Sequence, residues 1–178
     1  DGWARKNMMD MVNFEDVKKL LPFLSEAFLE EIATYHFNQA HDLPRITAFL
    51  PFLSKETIDG FAGQIAREKG AAHLNGILPF MSDACVDRLM REEAEQNGAN
   101  AAVGLAPFAS DTLIDQVAAA SAQRDGLASI MGLVPFVSGG ALEAIAKRIA
   151  KEQGMHAIEP LWPFLDMDGF IQAMMEKE

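Results

Sequence analysis

Leu78-Pro79-Phe80-Met81-Ser82 is one of six copies of a short phrase on which the reading of this chain turns. The others are Leu21-Pro22-Phe23-Leu24-Ser25, Leu50-Pro51-Phe52-Leu53-Ser54, Ala106-Pro107-Phe108-Ala109-Ser110, Val134-Pro135-Phe136-Val137-Ser138 and Trp162-Pro163-Phe164-Leu165-Asp166. Successive prolines stand 29, 28, 28, 28 and 28 residues apart. A fixed period of this size marks a repeat architecture, in which one unit cannot bury its apolar face alone and stacks on its neighbours.

Each position around the phrase has a physical reading. The serine (Asp166 in the last copy) is a helix N-cap, because its side-chain oxygen accepts an otherwise unpaired backbone N–H. The residue before the cap and the fourth helical residue are apolar in every copy, as in Leu53 with Ile58 and Val137 with Leu142, which is the spacing of a hydrophobic staple. Beyond the staple the apolar period is helical: Ile58, Phe61, Ala62 and Ile65 recur as Leu142, Ile145, Ala146 and Ile149. Gly70, Gly98, Gly126 and Gly154 stand sixteen residues after their caps, where a left-handed residue ends a helix. The first helix of each unit is thus predicted to run about fifteen residues and to start close to its cap. The remaining segment, such as Ala99–Ala106, reads as a second, shorter helix stopped by proline. The phenylalanine of each phrase is expected to be a core wedge, joining Leu29, Ile32, Ile58, Phe61, Val86, Leu89, Ile114, Val117, Leu142 and Ile145. The other reading makes the six phenylalanines an exposed peptide-binding stripe.

Two helices per unit in series resembles the α-solenoid class of HEAT and armadillo repeat proteins, and the Leu-Pro-Phe-x-Ser phrase is similar to repeats of uncharacterised bacterial proteins. The resemblance implies an all-α solenoid of two-helix repeats, about six units of 28 residues. It forms a single helical-repeat domain over residues 1–178, with a partial unit at 1–19 and units starting near 20, 49, 77, 105, 133 and 161. Asp1-Gly2-Trp3-Ala4 resembles Asp59-Gly60-Phe61-Ala62, so the chain reads as a fragment of a longer protein. An open end around Trp3, Met8, Met9, Met11 and Val12 is expected to favour homo-oligomerisation.

Composition narrows the partners. With 26 acidic and 15 basic side chains the net charge is −11, which repels phosphate backbones and anionic membrane. No apolar run approaches the length of a membrane span. The single cysteine, Cys85, rules out an internal disulfide, fits a cytoplasmic protein, and cannot build a zinc site of the usual kind. Gly-rich phosphate loops, Gly-x-Ser-x-Gly and His-Glu-x-x-His are all missing from the sequence, so no cofactor, metal or catalytic residue is expected.

Two constellations remain. Glu30, Asp59, Asp87, Asp115 and Glu143 share one position of the repeat. They form either a partner-binding track for a basic protein or peptide or for cations, or a ladder that is solvated or hydrogen-bonded between units and sets the stacking register. Repeat one holds the extra residue, has His41-Asp42-Leu43-Pro44 where others have glycine, and gathers Tyr35, His36, His41 and Asp42. The expected function is a non-catalytic protein–protein interaction or scaffold module. The alternative is a small-molecule- or metal-binding enzyme domain at that four-residue cluster.

Overall fold

The computed structural model describes residues 18–41 and 43–175. The N-terminal apolar residues from Trp3 to Val12, and Asp42, lie outside this range. Among the described residues the chain is helical and contains no strand. Its α-helices are α1 (Glu26–Ala40), α2 (Lys55–Lys69), α3 (Asp83–Asn97), α4 (Asp111–Asp125), α5 (Gly139–Gln153) and α6 (Met167–Met175). The first five have fifteen residues each, the length expected from cap-to-glycine spacing. No helix among the described residues is long and apolar enough to cross a membrane.

The caps work as the sequence predicts. Ser25, Ser54, Ser82, Ser110 and Ser138 accept from the amide three residues on, at 3.2–3.4 Å. The glycines end their helices, but not in the left-handed α form. Gly70, Gly98, Gly126 and Gly154 have φ of 81–90° with ψ of 157–176°. That combination belongs almost exclusively to glycine. Its purpose is visible in the bonds on either side. Gly70 N–H donates to the Ala66 carbonyl, closing α2, while the Gly70 carbonyl accepts from His73 N–H, opening the next turn. One glycine therefore ends one helix and redirects the chain into another.

That second segment is a 3₁₀ helix. In residues 1–89, one of two compact units of the chain, it appears as Ala71–Leu74 and as the three-residue turns Leu21–Phe23, Leu50–Phe52 and Leu78–Phe80. In residues 90–178 it appears as Ala99–Phe108, Leu127–Ile130, Val134–Phe136 and Met155–Phe164. A 3₁₀ helix has three residues per turn, so side chains at i and i+3 eclipse into one row. The buried residues follow that row: Ala71, Leu74 and Ile77, then Ala99, Ala102 and Leu105, then Ile130 and Leu133, then Ile158 and Leu161. Three of these segments lie against the α-helix that precedes them, Ala71–Leu74 on α2, Leu127–Ile130 on α4 and Met155–Phe164 on α5. Within residues 90–178, α5 also packs between α4 and α6.

Proline does not stop this segment; it sits inside its last turn. Phe80 N–H donates to the Ile77 carbonyl at 3.0 Å and Phe136 N–H to the Leu133 carbonyl at 2.8 Å, so the turn's bonds span the proline. Proline's fixed φ suits the turn and its missing N–H goes unasked. The helix stops one residue later, where Met81 and its equivalents turn extended ahead of the serine.

The α-helical core residues expected from the sequence, Leu29 through Ile145, are all buried. The phenylalanines of the phrase are not, and this corrects the core-wedge expectation. Phe23 is 84% exposed, Phe108 41% and Phe164 49%, while Phe52, Phe80 and Phe136 are half-buried. In the middle copies the core is filled one turn earlier, by the residue pair before proline: Phe49-Leu50, Ile77-Leu78, Leu105-Ala106 and Leu133-Val134 are all buried. The phenylalanine follows where the row runs past the edge of the core.

Candidate functional site

The shared carboxylate position is the fifth residue of each helix, one and a half turns beyond the cap. In residues 1–89, Asp59 on α2 reaches the cap of α3. Ser82 N–H donates to Asp59 Oδ1 at 2.9 Å and Ser82 Oγ–H to Oδ2 at 2.5 Å. In residues 90–178, Ser138 binds Asp115 in the same two-pronged way, at 2.8 and 2.6 Å. The serine hydroxyl thus has two jobs: it donates its proton to the preceding helix's carboxylate while its lone pair accepts from the helix it caps. Asp-to-Ser spacing is 23 residues in both cases, and Asp87 and Ser110 have the same spacing.

The first rung differs in length and chemistry together. Glu30 and Ser54 are 24 residues apart, the repeat having one more residue, and glutamate supplies one more methylene. Glu30 Oε1 accepts from Ser54 N–H at 3.3 Å, from Ser54 Oγ, and from Thr57 Oγ1 at 2.8 Å. These hydroxyl donors, Ser54 first, hold the Glu30 carboxyl below the ordinary glutamate value of 4.5. The last rung breaks. Asp166 replaces the cap serine and has no hydroxyl to donate, and Glu143 pairs with Lys147 one turn along α5. In α6 the carboxylate position is held by Ile171, 45% exposed.

Of the cluster in repeat one, Tyr35, His36 and His41 are described, and their surroundings differ. His36 is buried, 1% exposed, with its ring against Tyr35 and stacked over Phe49. His41 lies outside the core, stacked on Phe37, with Nδ1 at 2.9 Å from Glu68 Oε2 and Gln64 Nε2 at 3.2 Å. Tyr35 is partly exposed. Among the described residues no group of three or more His, Cys, Asp or Glu side chains is placed to hold a metal. Cys85 is buried beside Arg88, whose Nη2 lies 3.4 Å from the sulfur. Burial, and then the Asp59 charge, push the thiol up from its ordinary value, which makes it a poor nucleophile.

Comparison with protein-family models, curated proteins and solved structures gave no match. Sequence reasoning found the carboxylate position and left its two readings open. The signal it missed is the constant 23-residue Asp–Ser spacing, which brings Asp59 and Asp115 to the cap of the next helix.

Proposed function

We propose that this chain is a non-catalytic interaction module whose two-helix units stack in series as a solenoid and hold a partner protein or peptide against the repeated phenylalanines. The observation that carries the reading is the outward placement of a large apolar side chain at one fixed repeat position, most fully at Phe23, Phe108 and Phe164. Single exposed apolar residues need no explanation. A periodic set, spared from the core by the buried pair that precedes it, supports a contact surface. Glu143 and Asp166 line one cavity with Phe164, in a chain of net charge −11. Exposed phenylalanines on an acidic chain suit a segment bearing apolar and basic side chains, and association should weaken as salt rises. Glu30, Asp59 and Asp115 add to the chain's negative charge while their hydrogen bonds serve the caps.

The test is capture of partners from cell extract by the wild-type chain and by a Phe23→Ser, Phe108→Ser, Phe164→Ser variant of unchanged helicity. The bound set should be lost with the phenylalanines, and an identical bound set on the variant would remove them from the contact. Solution scattering tests the stacking separately. A compact chain of this length has a radius of gyration of about 16 Å, and serial stacking requires a larger value.

A further inference from the structure

The one repeat that departs from the rest also carries a pocket with a distinct chemistry. In residues 1–89, His41, Leu43, Pro44, Ile65, Lys69 and His73 line a cavity at the C-terminal end of α2. Its floor is apolar, with Ile65 at 1% exposure, and its polar lining residues among the described ones are His41, Lys69 and His73.

The backbone shows that His41 is held there at a cost. It ends α1 at φ 46° and ψ 46°, the sole non-glycine positive φ among the described residues. The equivalent position in α2 to α5 is glycine, which would adopt this region freely. The side chain is then fixed by three contacts. Phe37 stacks on the ring, Glu68 accepts from Nδ1–H, and Gln64 lies over the ring nitrogens. Accepting by Glu68 sets the tautomer, with the proton on Nδ1. Glu68 itself stands outside the pocket lining, its charge held by Gln64 and His41.

From this placement we infer that the pocket binds a carboxylate bearing a short aliphatic group. The Lys69 ammonium and the His73 ring N–H meet the carboxylate, His41 forms the wall beside them, and Leu43, Pro44 and Ile65 take the alkyl part. Charge-assisted bonds to an anion are the strong ones, and the apolar floor selects against bare inorganic phosphate. The same chemistry is offered by a free short-chain acid and by the C-terminal carboxylate of a peptide ending in an aliphatic residue. This site is separate from the phenylalanine surface and does not depend on it.

The experiment follows the ring resonances of His41 and His73 in the full chain by NMR during titration with butyrate, with butyramide, and with an acetylated tetrapeptide ending in leucine, free or amidated at its C-terminus. Butyrate or the free-acid peptide should shift both rings saturably, and butyramide and the amidated peptide should not. Tighter binding of the peptide identifies a chain terminus as the ligand, and tighter binding of butyrate a free acid. Lys69→Met should weaken binding about tenfold or more. His41→Gly, which restores the residue of the other repeats and so keeps the turn, should weaken it as well. Absence of a saturable shift with both carboxylates, equal binding of butyramide, or undiminished affinity in Lys69→Met overturns the inference.

Discussion

At the scale of single residues, the bonds to Glu30 tie stability to an ionised carboxylate. Glu30 is held below its ordinary value of 4.5, so its folded form binds a proton less readily than its unfolded form. Its contribution is therefore fully present above pH 4.5 and is lost as pH falls through the lowered value. Melting curves of wild type and Glu30→Gln should differ at pH 7 and converge as the pH falls below 4.5 and through the lowered value. A gap that stays constant across that range would show that the bonds to Ser54 and Thr57 do not need the charge. Cys85 gives a second expectation. Its buried, raised thiol should react with a thiol reagent far more slowly in the native chain than in denaturant. Native reaction at the denatured rate would place the sulfur at the surface.

At the scale of elements, the 3₁₀ segment separates residues that look alike in sequence. Leu105 is 2% exposed and Phe23 84%, although both are large apolar side chains of the repeat. Leu105→Ala should cost about 2–5 kcal/mol, and Phe23→Ala less than about 0.5 kcal/mol, both read from denaturant unfolding. The reverse order would return the phenylalanine to the core. The helix ends make a sharper test of backbone geometry. An added Cβ at Gly126 meets nothing within 4 Å, yet its φ is 81° and ψ 176°. Gly126→Ala should therefore destabilise by about 1–3 kcal/mol through conformation alone, and a neutral result would mean that the turn rearranges cheaply. Part of this was legible beforehand. The α-helices show their 3.6-residue period in Ile58, Phe61, Ala62 and Ile65, whereas the three-residue row of Ala71, Leu74 and Ile77 is too short to announce itself.

At the scale of the whole molecule, the governing quantity is a net charge of −11. Self-repulsion of like charges opposes the compact state and is screened by salt. Raising sodium chloride from about 20 mM to about 500 mM should therefore raise the melting temperature by a few degrees, since the Debye length falls severalfold over that range. A fall would mean that exposed ion pairs such as Arg124 with Asp125 outweigh the net repulsion. The same salt series should weaken the grip of the proposed basic partner, so stability and binding are expected to move in opposite directions.

The sequence by itself determined the helical class, the period, the serine caps, the fifteen-residue helices and the α-helical core. All of these follow from contacts within one turn or from periodicity along one face. Only the tertiary structure decided where the phenylalanine points. Ile77 and Phe80 share a three-residue row and differ in whether packed neighbours still cover them, so Ile77 is buried and Phe80 half-buried. It also decided which groups Glu30, Asp59 and Asp115 bond to. An acid on an exposed helical face looks solvated until the next helix brings a serine to within 2.5–3.3 Å of it. The partner of each carboxylate lies 23 or 24 residues away, and only folding brings the two together.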